Sequence, residues 1–214
     1  MGLAPGTAMA AVPAPAVPAG TSVKGSGTLD SEDRKLAAFE NLQVDLVAAV
    51  TVTQGDKITC AVKADDNLLP LILTERSGKT LRIHTKETFS SAHPVTIAIT
   101  LPVLSRATLN GAGNLTLTGV TKKSLVAAIN GTGSLTAKGQ TETLTATLNG
   151  ACNLRAEGLE TATATVILTG TGNAQVRATD LLQATVYGTG SVTYTGQPKK
   201  VEKSVFGTGA VTAE

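Results

Sequence analysis

Apolar and polar residues alternate one for one through most of the chain after residue 40. Around Asn130, the residues Leu125, Ala127, Ile129, Gly131, Gly133, Leu135 and Ala137 share one parity. The next stretch repeats it as Leu144, Ala146, Leu148, Gly150, Cys152, Leu154 and Ala156, and the one after as Ala164, Val166, Leu168, Gly170, Gly172, Ala174 and Val176. Strand side chains point to opposite faces with a period of two, so each set lines one face. Residues 39–101 show the same alternation less regularly. Val44, Leu46, Ala48, Val50 and Val52 are followed by Ile58, Cys60 and Val62, then Leu81 and Ile83, then Val95, Ile97, Ile99 and Leu101. Turn residues at Gln54-Gly55-Asp56 and Ser77-Gly78 separate these runs. The pattern predicts strands almost throughout, with a short helical turn only at Ser31–Ala38.

A repeat overlies the alternation. Six segments align: Asn110-Gly-Ala-Gly-Asn-Leu115, Asn130-Gly-Thr-Gly-Ser-Leu135, Asn149-Gly-Ala-Cys-Asn-Leu154, Thr169-Gly-Thr-Gly-Asn-Ala174, Tyr187-Gly-Thr-Gly-Ser-Val192 and Phe206-Gly-Thr-Gly-Ala-Val211. Their starts lie 20, 19, 20, 18 and 19 residues apart. That period is too short for a propeller blade or a helical repeat and suits one coil of a β-solenoid. The reading is an all-β, single-domain parallel β-solenoid (β-helix) over residues 37–214, with wider first coils over residues 39–101. The paired positions Gly111/Gly113, Gly131/Gly133, Gly150/Cys152, Gly170/Gly172, Gly188/Gly190 and Gly207/Gly209 are its structural corners. Being in phase with the apolar residues, they are expected to point inward, where a tight bend leaves no room for a Cβ. A nucleotide-binding loop is excluded, because GxGxxG must lead from a strand into a helix and every GxG here leads into another strand.

Composition narrows the function classes. Aromatic residues make up 2% and charged residues 16%, with 34 Thr and 22 Gly, so the core is built from small side chains. A net charge of +2 with interspersed signs gives no electrostatic footprint for nucleic acid. No apolar run reaches the roughly 18 residues of a membrane-spanning helix. Residues 1–20 carry four Pro and no charged side chain, which makes residues 1–36 a disordered Ala/Pro-rich tether. The stretch Ala8-Met9-Ala10 resembles the surroundings of a signal cleavage site, and an already removed signal peptide is one reading.

The sequence offers no candidate catalytic, metal or cofactor-binding residues, and no cofactor is expected. His84 and His93 stand apart from any Cys or carboxylate at ligand spacing and read as exposed. Asp65-Asp66 beside Asn67 reads as a solvated loop. Cys60 and Cys152 fall on the inward parity, either as two free buried thiols or, if their coils are adjacent, as a disulfide. More informative are the outward positions at the corners, where stacking at about 4.8 Å builds ladders. One holds Asn110, Asn130 and Asn149; a second holds Thr132, Thr171 and Thr189; a third holds Asn114, Asn153 and Asn173. They form either a structural strip of stacked amides and hydroxyls or a polar binding strip. Val126, Ile167, Tyr187 and Phe206 also fall on the outward parity and make a candidate self-association strip, so a homo-oligomer is an expected partner.

The order Phe39-Glu-Asn-Leu42, Gln54-Gly55, Leu81-Arg-Ile83, Val95-Thr-Ile-Ala-Ile99-Thr-Leu-Pro102, then serial NGxG[NS]L, resembles the autotransporter adhesin head domain, also called the GIN domain. The resemblance covers residues 37–213 and departs at Cys152, Thr169, Tyr187 and Phe206. It implies a secreted, outer-surface or periplasmic β-solenoid and carries no catalytic residues. The function it implies is a non-enzymatic cell-envelope or secreted module for adhesion or scaffolding, with a glycan or envelope component as partner. The alternative is a carbohydrate-binding or carbohydrate-active protein using the side of the solenoid.

Overall fold

The computed structural model describes residues 22–214. The chain runs through β1 (Val23–Lys24), β2 (Leu29–Asp33), β3 (Asn41–Asp45), β4 (Ala48–Gln54), β5 (Thr59–Asp65) and a 3₁₀ turn (Leu69–Leu71). It continues through β6 (Ile72–Ser77), β7 (Thr80–Thr85), β8 (Phe89–Ser90), β9 (Thr96–Leu101), β10 (Arg106–Val120) and the very long β11 (Ser124–Thr171). The last four are β12 (Asn173–Gly188), β13 (Ser191–Thr195), β14 (Lys200–Gly207) and β15 (Ala210–Ala213). No helix among the described residues is long and apolar enough to cross a membrane.

The all-β class stands, but the parallel β-solenoid does not. The strands join one mixed 13-stranded sheet and a two-stranded ribbon of β1 and β8. Antiparallel pairs join β2 to β5, β5 to β9 and β6 to β7. The reason lies in the connections. Parallel neighbours need a long return path, whereas antiparallel ones need only a tight turn. The two-residue turn Gly78-Lys79, with Gly78 at φ +57°, joins β6 directly to β7, while residues 55–58 reverse the chain between β4 and β5, which flank β9 on opposite sides. Parallel pairs already join β3 to β7 and β4 to β9 in this half, and the 19-residue repeat begins at Asn110.

From there the pairing is parallel and follows the repeat. Asn110 faces Asn130 and Gly113 faces Gly133, while Gly170 faces Gly188 and Gly188 faces Gly207. The inward parity is the buried one: Leu125, Ala127, Ile129, Leu135 and Ala137 have no accessible surface. Burying each Leu contributes roughly 1.5–3 kcal/mol, while the interspersed Ala set how closely the packed layers approach.

The N-terminal expectations change. Ser31–Ala38 forms no helical turn, because Leu29–Asp33 is a strand paired antiparallel to β5. Strands β1 and β2 lie within the stretch assigned to the tether, and residues 1–21 of that tether lie outside the described residues. Of the described part of that stretch, β2 occupies an edge of the sheet beside β5.

Most of the corner glycines are required for a reason other than the one parity suggested. At Gly131 φ is +139°, and an added Cβ would lie 2.0 Å from the carbonyl oxygen of Gly111 in the preceding repeat. The obstacle is the neighbouring backbone rather than the core. A Cα–H takes the place of the side chain there and points at that oxygen, a contact that recurs between close strands.

Gly190 and Gly209 depart from this series, so the expectation of six equivalent corners fails at the last two. They fall in the breaks between β12 and β13 and between β14 and β15, and neither has a positive φ. Regular pairing stops at Gly188 and resumes at Ser191, then stops at Gly207 and resumes at Ala210. Outside the ladder, the chain bends there with an ordinary φ. A Cβ on Gly190 would meet Leu168 Cδ2 and the Gly172 carbonyl oxygen, both at 2.4 Å. One on Gly209 would meet the Gly190 carbonyl oxygen at 1.9 Å and Val186 Cγ1 at 3.0 Å. Glycine is needed at these two positions for lack of space, against a core side chain as well as backbone, and not for its dihedral freedom.

Cys152 occupies the one site in the paired series where a side chain is kept. Gln197 is the only non-glycine residue with positive φ among the described residues, so Cys152 has an ordinary backbone conformation. Its Sγ lies 3.3 Å from the Gly131 carbonyl oxygen, and both it and Cys60 are free and buried. Burial pushes the Cys60 thiol up to about 11 and also raises that of Cys152, against the Gly131 hydrogen bond. Both thiols are therefore inert in the native state. Cys152→Gly is expected to cost less than about 1.5 kcal/mol in a denaturant titration, since it removes one small side chain and adds backbone freedom. Labelling of native Cys152 by a thiol reagent within the dead time would contradict its burial.

Candidate functional site: the polar corner strip

The outward positions of the glycine corner form three columns. The first is an amide chain with a direction. Asn149 Nδ2 donates to Asn130 Oδ1 at 2.8 Å, Asn130 Nδ2 donates to Asn110 Oδ1 at 2.7 Å, and Asn110 Nδ2 donates to Asp45 Oδ1 at 2.6 Å. Aligned donors and acceptors polarise one another. The carboxylate that accepts the first bond sets the sense of the chain. Asp45 is itself held by Arg82 and by Gln43 Nε2. Burial pushes the Asp45 carboxyl up, but the hydrogen bonds from Asn110, Arg82 and Gln43 outweigh it and hold it below the ordinary range.

In the third column Ser134 Oγ donates to Asn114 Oδ1 at 2.6 Å, and the Asn173 backbone N–H donates to Asn153 Oδ1 at 3.1 Å. Between these columns Thr132, Thr171 and Thr189 are exposed. Val47, 65% exposed, sits at the end of this middle column, because β10 continues from partners in β3 to partners in β4 across residues 45–48. The first column ends in aromatic rings. Tyr187 and Phe206 stack with centroids 5.0 Å apart and planes 8° from parallel, and they are 47% and 59% exposed. The strip is thus polar along its length from Asp45 and apolar at the Tyr187–Phe206 end, with Val47 exposed beside the Asp45 end.

Of the four residues of the candidate self-association strip, only Tyr187 and Phe206 come together. Val126 lies opposite Arg106 and Ile167 opposite Thr185, and both are half-buried in other columns.

Asp45 was missed from sequence, although a signal for it existed. Val44-Asp45-Leu46-Val47-Ala48-Ala49-Val50 matches Leu109-Asn110-Gly111-Ala112-Gly113-Asn114-Leu115 in parity, with Asp where the ladder has Asn.

A second cluster had no such signal. Asp65 is fully buried rather than in a solvated loop. Its Oδ1 meets His93 Nδ1 at 3.0 Å, and its Oδ2 accepts from Ser91 Oγ at 2.9 Å and from the Gly27 N–H at 3.4 Å. Neither His is free of carboxylates: His84 Nε2 lies 3.1 Å from Glu75 Oε2. The Asp65 cluster ties the residues between β1 and β2 to the ends of β5 and β8. Asn67 adds to it, accepting from the Ser26 N–H and donating to the Lys24 carbonyl. Its parts are 26 to 43 residues apart, so no local spacing announces it.

The chain is thus an all-β repeat protein with an ordered, exposed polar strip and a stacked aromatic pair. Residues 38–198 match the family model described as "Putative auto-transporter adhesin, head GIN domain", and the chain belongs to that family. Solved structures share its fold. One, described as a "putative adhesin" from Bacteroides fragilis, is 21% identical, with 90% of this chain and 100% of that chain covered, at a TM-score of 0.74. Another "putative adhesin", from Parabacteroides merdae, is 20% identical over 90% and 99%, at 0.57. A "putative lipid binding protein" from Parabacteroides distasonis is 19% identical over 91% and 100%, at 0.58. No relative with a curated description matches the chain.

Proposed function

We propose that this chain is a non-enzymatic extracellular or surface adhesion module that binds an envelope component or another surface through the corner strip. The observation that carries the reading is the directed amide chain from Asp45 to Asn149, running toward the exposed pair Tyr187–Phe206. Side chains that hold one another in place lose less freedom on binding, where each immobilised flexible side chain otherwise costs about 0.5–1.5 kcal/mol. A periodic array of amides and hydroxyls ending in aromatic rings suits a partner that is itself extended and repetitive. Membership of an adhesin-head family supports the same reading.

The test is retention of fluorescently labelled protein on whole bacterial cells and on purified envelope polysaccharide. Asn130→Asp, which places a second acceptor against Asn110 Oδ1, and Phe206→Asp should each reduce retention while far-ultraviolet circular dichroism is unchanged. Retention equal to wild type in both variants overturns the strip as the contact face.

The aromatic pair favours self-association as a second use of the same face. Sedimentation velocity should show concentration-dependent association of wild type that Phe206→Asp abolishes. A wild type that stays monomeric at high concentration removes this second use.

A further inference from the structure

The corner opposite in role to the glycine strip carries a groove of about 400 Å³. We infer that this groove is a second binding site, distinct from the strip, for a neutral, polyhydroxylated chain of the oligosaccharide class.

The groove exists because the ladder breaks there. The parallel register slips between Leu117 and Val120, between Ala156 and Glu160, and between Thr161 and Thr163. Bulges bend strands and re-aim side chains, so a regular wall becomes concave. Its volume lies within the usual range for ligand sites.

Its floor is set by Thr141 and Thr161, which with Asp65 are the only buried polar residues among the described ones. Thr141 Oγ1 donates to the Lys122 carbonyl and Thr161 Oγ1 to the Arg177 carbonyl, both at 2.6 Å. Their hydroxyl protons are committed to the backbone, so each hydroxyl has only acceptor capacity left to offer.

The walls carry charge that cancels. Lys122 is neutralised by Glu40 at 3.2 Å and also donates to Ser105 Oγ at 2.8 Å. Lys123 faces Glu142 at 3.8 Å, and Arg177 touches Glu160 through a single contact at 3.3 Å. Pairs this open are worth about 0–1 kcal/mol, so a ligand displaces them at little cost. Arg177 makes no other side-chain hydrogen bond to the described residues, so guanidinium N–H groups are available to a hydroxyl.

These features select the ligand class. An anion would meet Glu142 and Glu160, and a cation would meet Lys123 and Arg177. An apolar ligand would find no aromatic or large aliphatic wall among the lining residues. Hydroxyl groups, each both donor and acceptor, can use the alternating carboxylates, cations and Thr oxygens together. The lining residues recur on four successive repeats, which suits an extended ligand lying along the stacking direction.

The test is nuclear magnetic resonance titration of the isotopically labelled full chain with cellohexaose, chitohexaose and an oligogalacturonate. The neutral oligosaccharides should shift backbone amides at Lys123, Thr141, Glu142, Thr161 and Arg177 and leave Asn130 and Thr132 unmoved. Arg177→Met and Glu160→Gln, both at half-exposed side chains, should each weaken binding about tenfold, while Asn130→Asp should not. Shifts confined to the corner strip, stronger response to oligogalacturonate than to the neutral chains, or no shift with any of the three would each overturn the inference. The inference does not rest on the adhesion reading. Loss of cell retention in strip variants with groove titration intact would support both separately.

Discussion

Gly133→Ala is expected to destabilise the protein by about 3–5 kcal/mol, a drop in melting temperature on the order of 10 °C for a domain of this size. At Gly133 φ is +146°, and a Cβ would stand 1.8 Å from the Gly113 carbonyl oxygen and 2.9 Å from its carbonyl carbon. Two costs combine. An L-residue in that backbone region is strained by about 1–3 kcal/mol, and the overlap with main chain moves a strand held on both sides by hydrogen bonds. A control at Gly158 separates this from a general intolerance of alanine. There φ is not positive, and the nearest atom to an added Cβ is Lys138 Cγ at 3.2 Å, on a flexible exposed side chain. Gly158→Ala should change stability by less than about 0.5–1 kcal/mol. Thermal melts of the two variants check the argument, and equal melting temperatures would remove it.

Asp65→Ala should release the N-terminal strands from the body of the sheet. It leaves His93 Nδ1, Ser91 Oγ and the Gly27 N–H without their shared acceptor, and hydrogen bonds to a charged group are worth about 1.5–3 kcal/mol each. Hydrogen exchange should quicken at Gly25, whose N–H donates to the Ser90 carbonyl, and at Asp66, whose N–H donates to the Thr28 carbonyl. The amides of β10 and β11 should keep their protection. Unchanged exchange at Gly25 and Asp66 would show that the carboxylate does not hold this segment.

Acid should act in the same direction on wild type. Burial pushes the Asp65 carboxyl up, but hydrogen bonds from His93, Ser91 and Gly27 prevail and hold it below its ordinary value. Hydrogen bonds from Lys79, then Lys122 and Ser105, bring Glu40 down to about 2. A carboxyl whose folded value is depressed contributes stability that is fully present above its unfolded value near 4. That contribution is lost as the pH falls through the folded value. The loss at Asp65 therefore starts below about pH 4, and the loss at Glu40 continues down to about pH 2. A denaturant midpoint that rises between pH 5 and pH 2 would contradict both assignments.

Alternation and repeat make the strands, the buried face and the columns of the corner strip legible in the sequence. The reason is that these are local properties. Side-chain direction follows from a period of two, and a constant spacing between GxG segments aligns equal positions on neighbouring strands whatever the rest of the chain does. Asn110, Asn130 and Asn149 had to share a column once Leu109, Ile129 and Leu148 shared a face.

Tertiary structure alone decided the rest. Whether β5 pairs with β9 in parallel or antiparallel depends on how the chain reverses at residues 55–58, and the alternation of Ile58, Cys60 and Val62 is the same for either sense. The need for glycine at 131 and 133 comes from the carbonyl oxygens of the preceding repeat, which parity along one strand does not contain. Gly190 and Gly209 carry the same motif, yet only the break in pairing beside them shows that they bend differently. Asp65 and His93 are 28 residues apart, and only closure of the intervening hairpin makes a loop acid into a buried anchor. The direction of the amide chain was likewise hidden, because an Asn ladder runs either way until a carboxylate such as Asp45 is packed against one end.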